Sequence, residues 1–353
     1  MAVPIRKRGR WTVGNSPSPA SPSSPEASTS PFSPLPRPEP SRSRTAGHLE
    51  TLRIYDLTVI ALVTGLGAAM SAPPGGARLP VLGLAACAGA LACAAALYMA
   101  DYLTRHEDQL AKPHRPIPSG RISGATVARC AGVAAVAVLG TALAVNWHAL
   151  VFLGAAVGLY GLYGRWGKRR GLLGDLLSGV SGPVCAFLAG ACYSAPWPPG
   201  WLWFTAVLLG LQGVFSNLLL ALHDLGTDRA AGCGTFPVRH GPRRTVRLLT
   251  TLALATYLLC LALPATMTEP PTSATLLLLG CAVLCALRVL GLLRPPGHAP
   301  CTRPALVWHF LERLLLPGAL LAQVVPATAA VLPTLAAGAA VLLSPRPMLS
   351  HAP

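Results

Sequence analysis

The chain has 353 residues, of which 52% are hydrophobic and only 11% are charged, and its formal net charge is +16. Soluble domains carry about 25% charged residues, so this composition excludes a typical soluble enzyme. The net charge alone would suit a nucleic-acid-binding protein. The basic residues, however, lie in loops between long apolar runs, which is typical of a membrane protein and argues against binding to nucleic acid.

The N-terminal segment differs from the rest of the chain in composition. Its run "NSPSPASPSSPEASTSPFSPLPRPEP" is rich in proline and serine and lacks apolar periodicity, so residues 1–48 are predicted to form a disordered tail. The basic segment "RKRGR" at 6–10 suits contact with anionic lipid headgroups, although a merely solvated tail fits equally well. No apolar region follows it, so it does not resemble a signal peptide. A second, short tail is predicted at 346–353.

Between the tails, residues 49–345 are predicted to form one transmembrane domain. A membrane span needs about 20 apolar residues, and runs near this length recur along the chain. The predicted spans are 54–72, 79–100, 124–146, 148–163, 172–190, 201–222, 244–265, 273–294 and 305–323. A further run at 326–343 is either a tenth span or the continuation of a long ninth one. The predicted fold class is all-α: a polytopic membrane protein with about nine transmembrane helices.

Basic residues mark one side of this predicted domain. Lysine and arginine are concentrated in the N-terminal tail and in the loops after the second, fourth, sixth and eighth spans, whereas the alternate loops contain a single arginine, Arg78. By the positive-inside rule, the N-terminus and the even-numbered loops are predicted to be cytosolic. We therefore expect a multi-pass protein of the cell membrane.

Two pairs of aspartates lie on the predicted cytosolic side. Asp101 and Asp108, here called the first arm, are seven residues apart, and they share a helix face if the second span extends past the membrane. Asp224 and Asp228, the second arm, are one helical turn apart at the end of the sixth span. Acids at membrane depth usually face a polar cavity and serve a function, so we expect the arms to meet in one site.

Each arm is followed by a loop rich in arginine, proline and glycine, "KPHRPIPSGR" and "RAAGCGTFPVRHG". Facing pairs of this kind could hold Mg²⁺, which takes carboxylate and phosphate oxygens, and so could bind a diphosphate. Asp56 and Asp175, each taken singly, are more typical of solvated helix caps. No cysteine and histidine cluster has the spacing of metal ligands, and the ten cysteines fit helix packing.

These loops carry a resemblance. "KPHRPIPSGRIS" and "HDLGTDRAAGCGTFPVRHG" resemble the two signature regions of the UbiA-type membrane prenyltransferases, and "YGRWGKRRGLLGD" resembles the family segment "YSxxLKRxxxxGN". The similarity covers roughly residues 50–325. It implies a UbiA-type bundle of nine transmembrane helices around a lipid-open cavity. It also implies an isoprenyl diphosphate bound through Mg²⁺ and an acceptor that is commonly aromatic.

The resemblance also implies roles for individual residues. Asp224 and Asp228 match the second Asp-rich motif of the family and would bind the Mg²⁺–diphosphate. The implied catalytic residues are Asp108, Tyr163, Asp224 and Asp228. The basic residues implied to bind the diphosphate are Lys112, Arg115, Lys168, Arg229 and Arg239.

The first Asp-rich motif departs from the family pattern N-D-x-x-D-x-x-x-D. Counting back from "KPHRP", the asparagine and the middle aspartate are replaced by Ala100 and Thr104, whereas Asp101 and Asp108 are retained. The implied metal ligands are therefore Asp101, Asp108, Asp224 and Asp228. We expect the first metal to be held weakly, by Asp108 with help from Asp101 or Glu107.

The implied function is transfer of a prenyl group, an alkyl group other than methyl, from an isoprenyl diphosphate to an acceptor at the cytosolic face. The hydrocarbon tail would lie between helices in contact with membrane lipid. A UbiA-type terpene cyclase, in which the cation attacks the substrate's own double bonds, and a non-catalytic lipid-binding homologue remain alternatives. The tyrosines expected near the mouth, which could stabilise a carbocation, are Tyr98, Tyr102, Tyr160 and Tyr163.

Overall fold

A computed structural model of the chain describes residues 43–73, 76, 78–262, 270–294 and 300–343. This part of the chain is helical and contains no strand, which confirms the predicted fold class. Its helices are α1 (Arg44–Leu52), α2 (Ile54–Ser71), α3 (Leu79–Ala111), α4 (Gly124–Val145), α5 (Ala149–Arg165), α6 (Leu172–Gly179), α7 (Cys185–Ala191), α8 (Leu202–His223), α9 (Leu225–Ala230), α10 (Phe236–Ala262), α11 (Ser273–Leu293), α12 (Thr302–Val324) and α13 (Ala327–Leu343).

The predicted tails lie largely outside the described residues, which begin at Ser43 and end at Leu343. The last part of the predicted N-terminal tail is helical, since α1 begins at Arg44. The Ser43 hydroxyl caps this helix by accepting a hydrogen bond from the Ala46 amide at 3.3 Å. The predicted boundary at 48 therefore falls inside a helix.

The predicted spans correspond to helices. Among the described residues, eight segments are long and apolar enough to cross a membrane: α2, α3, α4, the continuous α6–α7 segment, α8, α10, α11 and α12. The shorter apolar helices α5 and α13 account for the fourth predicted span and for the run at 326–343. α13 is a separate helix, because extended backbone at Val325 (φ −133°, ψ 163°), before Pro326, ends α12.

Burial separates the inner helices from the outer ones. α2, α8 and α12 are the most enclosed, and they contribute Leu66, Leu218 and Leu314 to the core. α4, α5, α10 and α11 expose large apolar side chains such as Val136 and Leu284. Apolar side chains on an outer helix face are favourable in a bilayer, where lipid takes the place of water.

Two glycines bring α6 and α8 into close contact. A Cβ added at Gly213 would lie 2.8 Å from the Gly179 carbonyl oxygen, and one added at Gly179 would lie 2.7 Å from the Val214 nitrogen. Only small residues permit this approach between helix backbones. The helices are antiparallel here, and one turn from the crossing the Asn217 amide meets the Asp175 carboxylate at 2.7 Å. The crossing therefore positions these two polar side chains.

A π-turn at Val180–Val184, which contains Pro183, separates α6 from α7. Such turns insert one extra residue into a helix and rotate the faces on either side relative to each other. Before the turn, Gly179 packs against α8. After it, Gly190 packs so closely on the Thr64 backbone of α2 that an added Cβ would overlap it. The α6–α7 span therefore packs against α8 before the π-turn and against α2 after it.

A buried polar network joins α8, α10 and α12. His309 Nδ1 and Glu312 Oε2, both on α12, are 2.6 Å apart, and Ser216 Oγ on α8 is 2.5 Å from His309 Nε2. The Tyr257 hydroxyl on α10 donates to Glu312 Oε1 at 3.0 Å. Polar groups inside a membrane need such partners, so the network restricts the rotation of α12 and the direction of the next residue, Arg313.

Candidate active site

A cavity of about 560 Å³ lies at the end of the bundle where the predicted cytosolic loops meet. Its wall consists of the α1–α2 junction, the end of α3, the end of α5, the start of α6 and the α8–α9 turn, together with α12 and α13. Residues from both arms and from the basic loops are brought together there. Six predicted site residues line it: Asp101, Lys112, Arg115, Tyr163, Asp224 and Asp228.

The other predicted site residues lie outside this wall or outside the described side chains. Asp108 is buried beside the cavity, whereas Arg229 and Arg239 are exposed. Arg239 Nη2 donates to the Arg169 carbonyl oxygen at 2.6 Å, which ties the start of α10 to the turn after α5. The side chain of Lys168 is not among the described ones. The diphosphate-binding roles of these basic residues stay predictions.

Both acids of the first arm face Arg115. Its Nη1 donates to Asp108 Oδ2 at 2.7 Å and lies 3.8 Å from Asp101 Oδ1. Thr104 Oγ1 also donates to Asp108 Oδ2, at 3.1 Å. α3 continues past the predicted span to Ala111, so the prediction that the two acids share one face of this helix is confirmed. Their negative charge is therefore already balanced in part by arginine.

Arg53 is a site residue that sequence analysis missed. It lies between α1 and α2, and among the described residues it is the one non-glycine residue with positive φ, 43°. Its Nη2 is 3.7 Å from Asp101 Oδ1, and its side chain lines the cavity. Strained backbone is often found at functional sites. Sequence analysis missed Arg53 because the segments on both sides of it are helical and nothing in the local sequence predicts a break between them.

The second arm spans the junction of α8 and α9, with Asp224 between the two helices and Asp228 in the first turn of α9. The Asp228 amide donates to the Asp224 carbonyl oxygen at 2.8 Å, and Thr227 Oγ1 donates to the same oxygen at 2.8 Å. Asp224 is exposed at the opening of the cavity, whereas Asp228 is buried in its wall. The arm therefore places one exposed carboxylate and one buried carboxylate in the cavity wall.

Asp175 adds a further carboxylate, against the expectation of a solvated helix cap. It lines the cavity but is only 3% exposed. Asn217 Nδ2 donates to its Oδ1 at 2.7 Å, and the Tyr163 hydroxyl donates to Asn217 Oδ1 at 3.4 Å. The expectation was wrong because the close α6–α8 crossing, which is a long-range feature, covers this helix start.

Unsatisfied oxygens in the wall fit a divalent cation. Asp175 Oδ2 and Thr235 Oγ1 are buried and have no hydrogen-bond partner among the described residues. In the same part of the chain, no three His, Cys, Asp or Glu side chains are close enough together to hold a metal ion by themselves. Mg²⁺ commonly binds through one or two carboxylates and completes its shell with water and substrate phosphate. The residues therefore fit an ion that binds together with a diphosphate.

Another part of the wall contains a buried cation beside aromatic rings. Arg313 is 9% exposed, and its Nη1 donates to the Tyr55 hydroxyl at 2.5 Å. The Tyr55 ring stacks on Phe310 with centroids 3.9 Å apart. Within the described residues, no carboxylate oxygen lies within 4.0 Å of the Arg313 guanidinium. Burying a charge is costly, so this arginine is well suited to an anionic ligand.

The aromatic residues of the wall differ from those expected. Of the four tyrosines predicted near the mouth, Tyr163 lines the cavity, whereas Tyr98, Tyr102 and Tyr160 do not. Tyr55, which the sequence did not single out, lies in the wall instead. Position near a helix end sets the depth of a side chain but leaves its direction to helix packing.

Comparison with known proteins places this architecture among membrane prenyltransferases. The digeranylgeranylglyceryl phosphate synthase of Methanopyrus kandleri is 31% identical over 210 residues, 59% of this chain and 74% of that protein. The bacteriochlorophyll synthase 33 kDa chain of Cereibacter sphaeroides is 29% identical over 224 residues, 60% of this chain and 72% of that protein.

Solved structures share the fold. A UbiA homologue from Archaeoglobus fulgidus, solved bound to GPP and Mg²⁺, superposes with a TM-score of 0.60 at 18% identity, covering 79% of this chain and 99% of that one. Residues 61–311 match the UbiA prenyltransferase family, which is more than half of the chain. On this match, and with the helical bundle and cavity described above, the chain belongs to the UbiA prenyltransferase family.

Proposed function

We propose that the chain catalyses Mg²⁺-dependent transfer of a prenyl group from an isoprenyl diphosphate to a small-molecule acceptor, at the cytosolic face of the membrane. The observation that carries this proposal is the composition of the cavity. Carboxylates of the second arm, the basic side chains of Lys112 and Arg115, and an apolar wall share one space. These features match the metal, the diphosphate and the hydrocarbon tail of one substrate.

The basic side chains bind and stabilise the leaving group. Loss of the diphosphate breaks a C–O bond and leaves negative charge on the departing oxygen, where preorganised cations stabilise the transition state. Lys112 and Arg115 lie on the loop after α3 and line the same cavity as the acids of the second arm. A guanidinium has five N–H donors, so pairing of Arg115 with Asp108 leaves further donors for phosphate. Bound Mg²⁺ would supply additional charge neutralisation at the diphosphate.

The apolar wall binds the tail and protects the carbocation. Leu220, Leu306 and Leu342 contribute apolar surface, and each buried CH₂ group of a prenyl chain contributes about 0.8 kcal/mol. The ring of Tyr163 offers a π face that stabilises an allylic cation, and the Tyr55 side chain helps to exclude water. An electron-rich atom of the acceptor then forms the new bond to the prenyl carbon, and the acceptor loses its proton to the released diphosphate or to water.

The two relatives described above differ in the acceptor of the prenyl group. The two relatives are named for different products, digeranylgeranylglyceryl phosphate and bacteriochlorophyll. The family resemblance favours an aromatic acceptor, and the buried guanidinium of Arg313 supports one that carries an anionic group. The acceptor would enter beside the diphosphate, between the second arm and α12.

A second candidate is a terpene cyclase that uses no acceptor. It is favoured by the altered first arm, in which Asp101 and Asp108 face Arg115 rather than open space. Purified protein, Mg²⁺ and a panel of isoprenyl diphosphates of increasing length, with and without aromatic and glyceryl phosphate acceptors, separates the candidates. Diphosphate release that depends on an acceptor supports the transferase. Release without acceptor, giving a hydrocarbon or terpene alcohol, supports the cyclase, and no release supports a non-catalytic homologue.

The proposed cytosolic location of the site rests on the basic loops around the cavity. Cysteine labelling of intact cells in a Cys-depleted background tests it. Ala231→Cys, after α9, should be protected from an impermeant reagent, whereas Gly200→Cys, before α8, should react; both positions are exposed. The opposite pattern would place the cavity outside the cell and contradict the proposal.

A further inference from the structure

Asp175 is a buried carboxylate in the cavity wall that has no role in the mechanism above. It lies in the first turn of α6 and is 3% exposed. The hydrogen bond from Asn217 holds Oδ1 at 2.7 Å, while Oδ2 is buried without a hydrogen-bond partner among the described residues. Leaving a buried hydrogen-bond acceptor without a partner destabilises a protein, and more so if the acceptor is charged. The wall thus contains a fixed carboxylate oxygen that needs a partner.

The charges near Asp175 increase that need. Asp228 lines the same cavity and carries a charge of the same sign. In the described part of the chain, no Lys, Arg or His nitrogen lies within 4.0 Å of Asp175. Like charges that line one poorly solvated cavity repel each other, and a cation bound in that cavity offsets the repulsion.

The first arm offers a direct contrast. Asp108 Oδ2 accepts from Arg115 at 2.7 Å, and Asp101 Oδ1 has arginine nitrogens at 3.7 and 3.8 Å. A cation that binds there would compete with these guanidinium groups. No Lys, Arg or His nitrogen lies within 4.0 Å of Asp175 among the described residues, so a metal ion that binds to this carboxylate displaces no such ion pair.

We propose that Asp175 is a Mg²⁺ ligand that acts together with Asp228 and compensates for the ligands that the first arm lacks. The proposal rests on the proposed function, since diphosphate and water oxygens would complete the octahedral shell. Asn217 orients the carboxylate through Oδ1 and leaves Oδ2 for the ion, in the way that hydrogen-bonded neighbours orient metal ligands.

Substrate binding, rather than turnover, provides the test. Geranyl and geranylgeranyl S-thiolodiphosphate, which are poorly reactive analogues, are titrated calorimetrically into the full-length protein at increasing Mg²⁺ concentrations. Asp175→Asn keeps the size of the side chain and the acceptor for Asn217 but removes the charge. It should raise the Mg²⁺ concentration needed for half-maximal analogue binding by about tenfold or more, since even indirect changes around a metal cost that much.

Asp56→Asn is the matched control, because Asp56 is another carboxylate that lines the cavity. It should leave the Mg²⁺ requirement close to that of the wild type. Asp175→Asn with an unchanged Mg²⁺ requirement, or with an increase that Asp56→Asn shows equally, would overturn the assignment. Failure of the wild-type protein to bind either analogue at any Mg²⁺ concentration would instead refute the proposed function and, with it, this site.

A second measurement does not depend on the folding of a variant. Wild-type protein is loaded with Fe²⁺ and an analogue, exposed to ascorbate and peroxide, and its backbone cleavage sites are mapped by mass spectrometry. Cleavage near residues 175 and 228 supports the proposal. Cleavage confined to residues 101–108 would place the metal at the first arm and overturn it.

Discussion

Replacing Arg115 with methionine tests whether the first arm is a structural ion cluster. Arg115 Nη1 lies 2.7 Å from Asp108 Oδ2 and 3.8 Å from Asp101 Oδ1, and each of these carboxylate side chains is 11% exposed. Methionine retains an unbranched apolar stem but removes the charge and the hydrogen bonds. The variant would leave two nearly buried carboxylates, and among the described residues Arg53 is the one arginine that would then lie within 4.0 Å of either, beside Asp101.

The expected loss of stability follows from this burial. Removing one partner of a fully buried ion pair costs about 3–5 kcal/mol. The Arg115 side chain is 22% exposed, so water will solvate part of the remaining charge. We therefore expect the free energy of unfolding to fall by about 2–3 kcal/mol, close to the value of a hydrogen bond to a charged group. Denaturant titration of the protein in a mild detergent measures this difference.

A double variant separates structure from catalysis. Arg115→Met leaves the Asp108 carboxylate without its arginine partner. Adding Asp108→Asn to this variant removes the unpaired charge, so the double variant should regain most of the lost stability. Prenyl transfer should stay low in both variants, because the guanidinium that binds the diphosphate is still missing. A single variant within about 0.5 kcal/mol of wild type would show that the cluster does not form. Recovery of activity together with stability would show that Arg115 is only structural.

Three further predictions concern the two arms and the helix crossing. Asp228→Ala should lower kcat/KM by about 10²–10³, the usual effect of losing one electrostatic element of a site; a loss of only a few-fold would place the diphosphate elsewhere. Ala100→Asn combined with Thr104→Asp restores family ligands beside Asp108 and should lower the Mg²⁺ concentration for half-maximal activity, and an unchanged requirement would mean that the first arm binds no metal. Gly213→Ala should reduce stability by about 1–3 kcal/mol, because the new Cβ would lie 2.8 Å from a carbonyl oxygen of α6. Gly132→Ala on α4, where nothing lies within 4 Å, is its control, and equal stability of the two variants would contradict the tight crossing.

Much of the architecture could be predicted because it depends on local sequence. Hydropathy located the spans, since the length of a bilayer-crossing helix is set by membrane thickness. The seven-residue spacing of Asp101 and Asp108 predicted their common face, and Arg115 contacts both. The spacing of the second arm placed Asp224 and Asp228 in one turn, and both line the cavity.

The residues that were missed depend on contacts between distant parts of the chain. Asp175 is buried because two glycines let α6 approach α8, and neither helix alone contains this information. Arg313 faces the cavity because the network around His309 and Glu312 restricts the rotation of α12. Hydropathy gives the depth of a residue in a membrane helix, but which neighbour it faces is decided by packing.

The π-turn at Val180–Val184 has a consequence for how this chain tolerates insertions and deletions. A regular helix advances by about 100° per residue, so removing one residue from this turn would rotate one half of the span against the other. The shortened segment would still be long enough to cross the bilayer. Yet the Asp175 carboxylate would turn away from Asn217, or the Gly190 contact with α2 would be lost. The number of residues in this span therefore sets the rotation of its two halves relative to each other as well as its length. A single-residue deletion would leave a segment that still inserts into the membrane but no longer assembles the site.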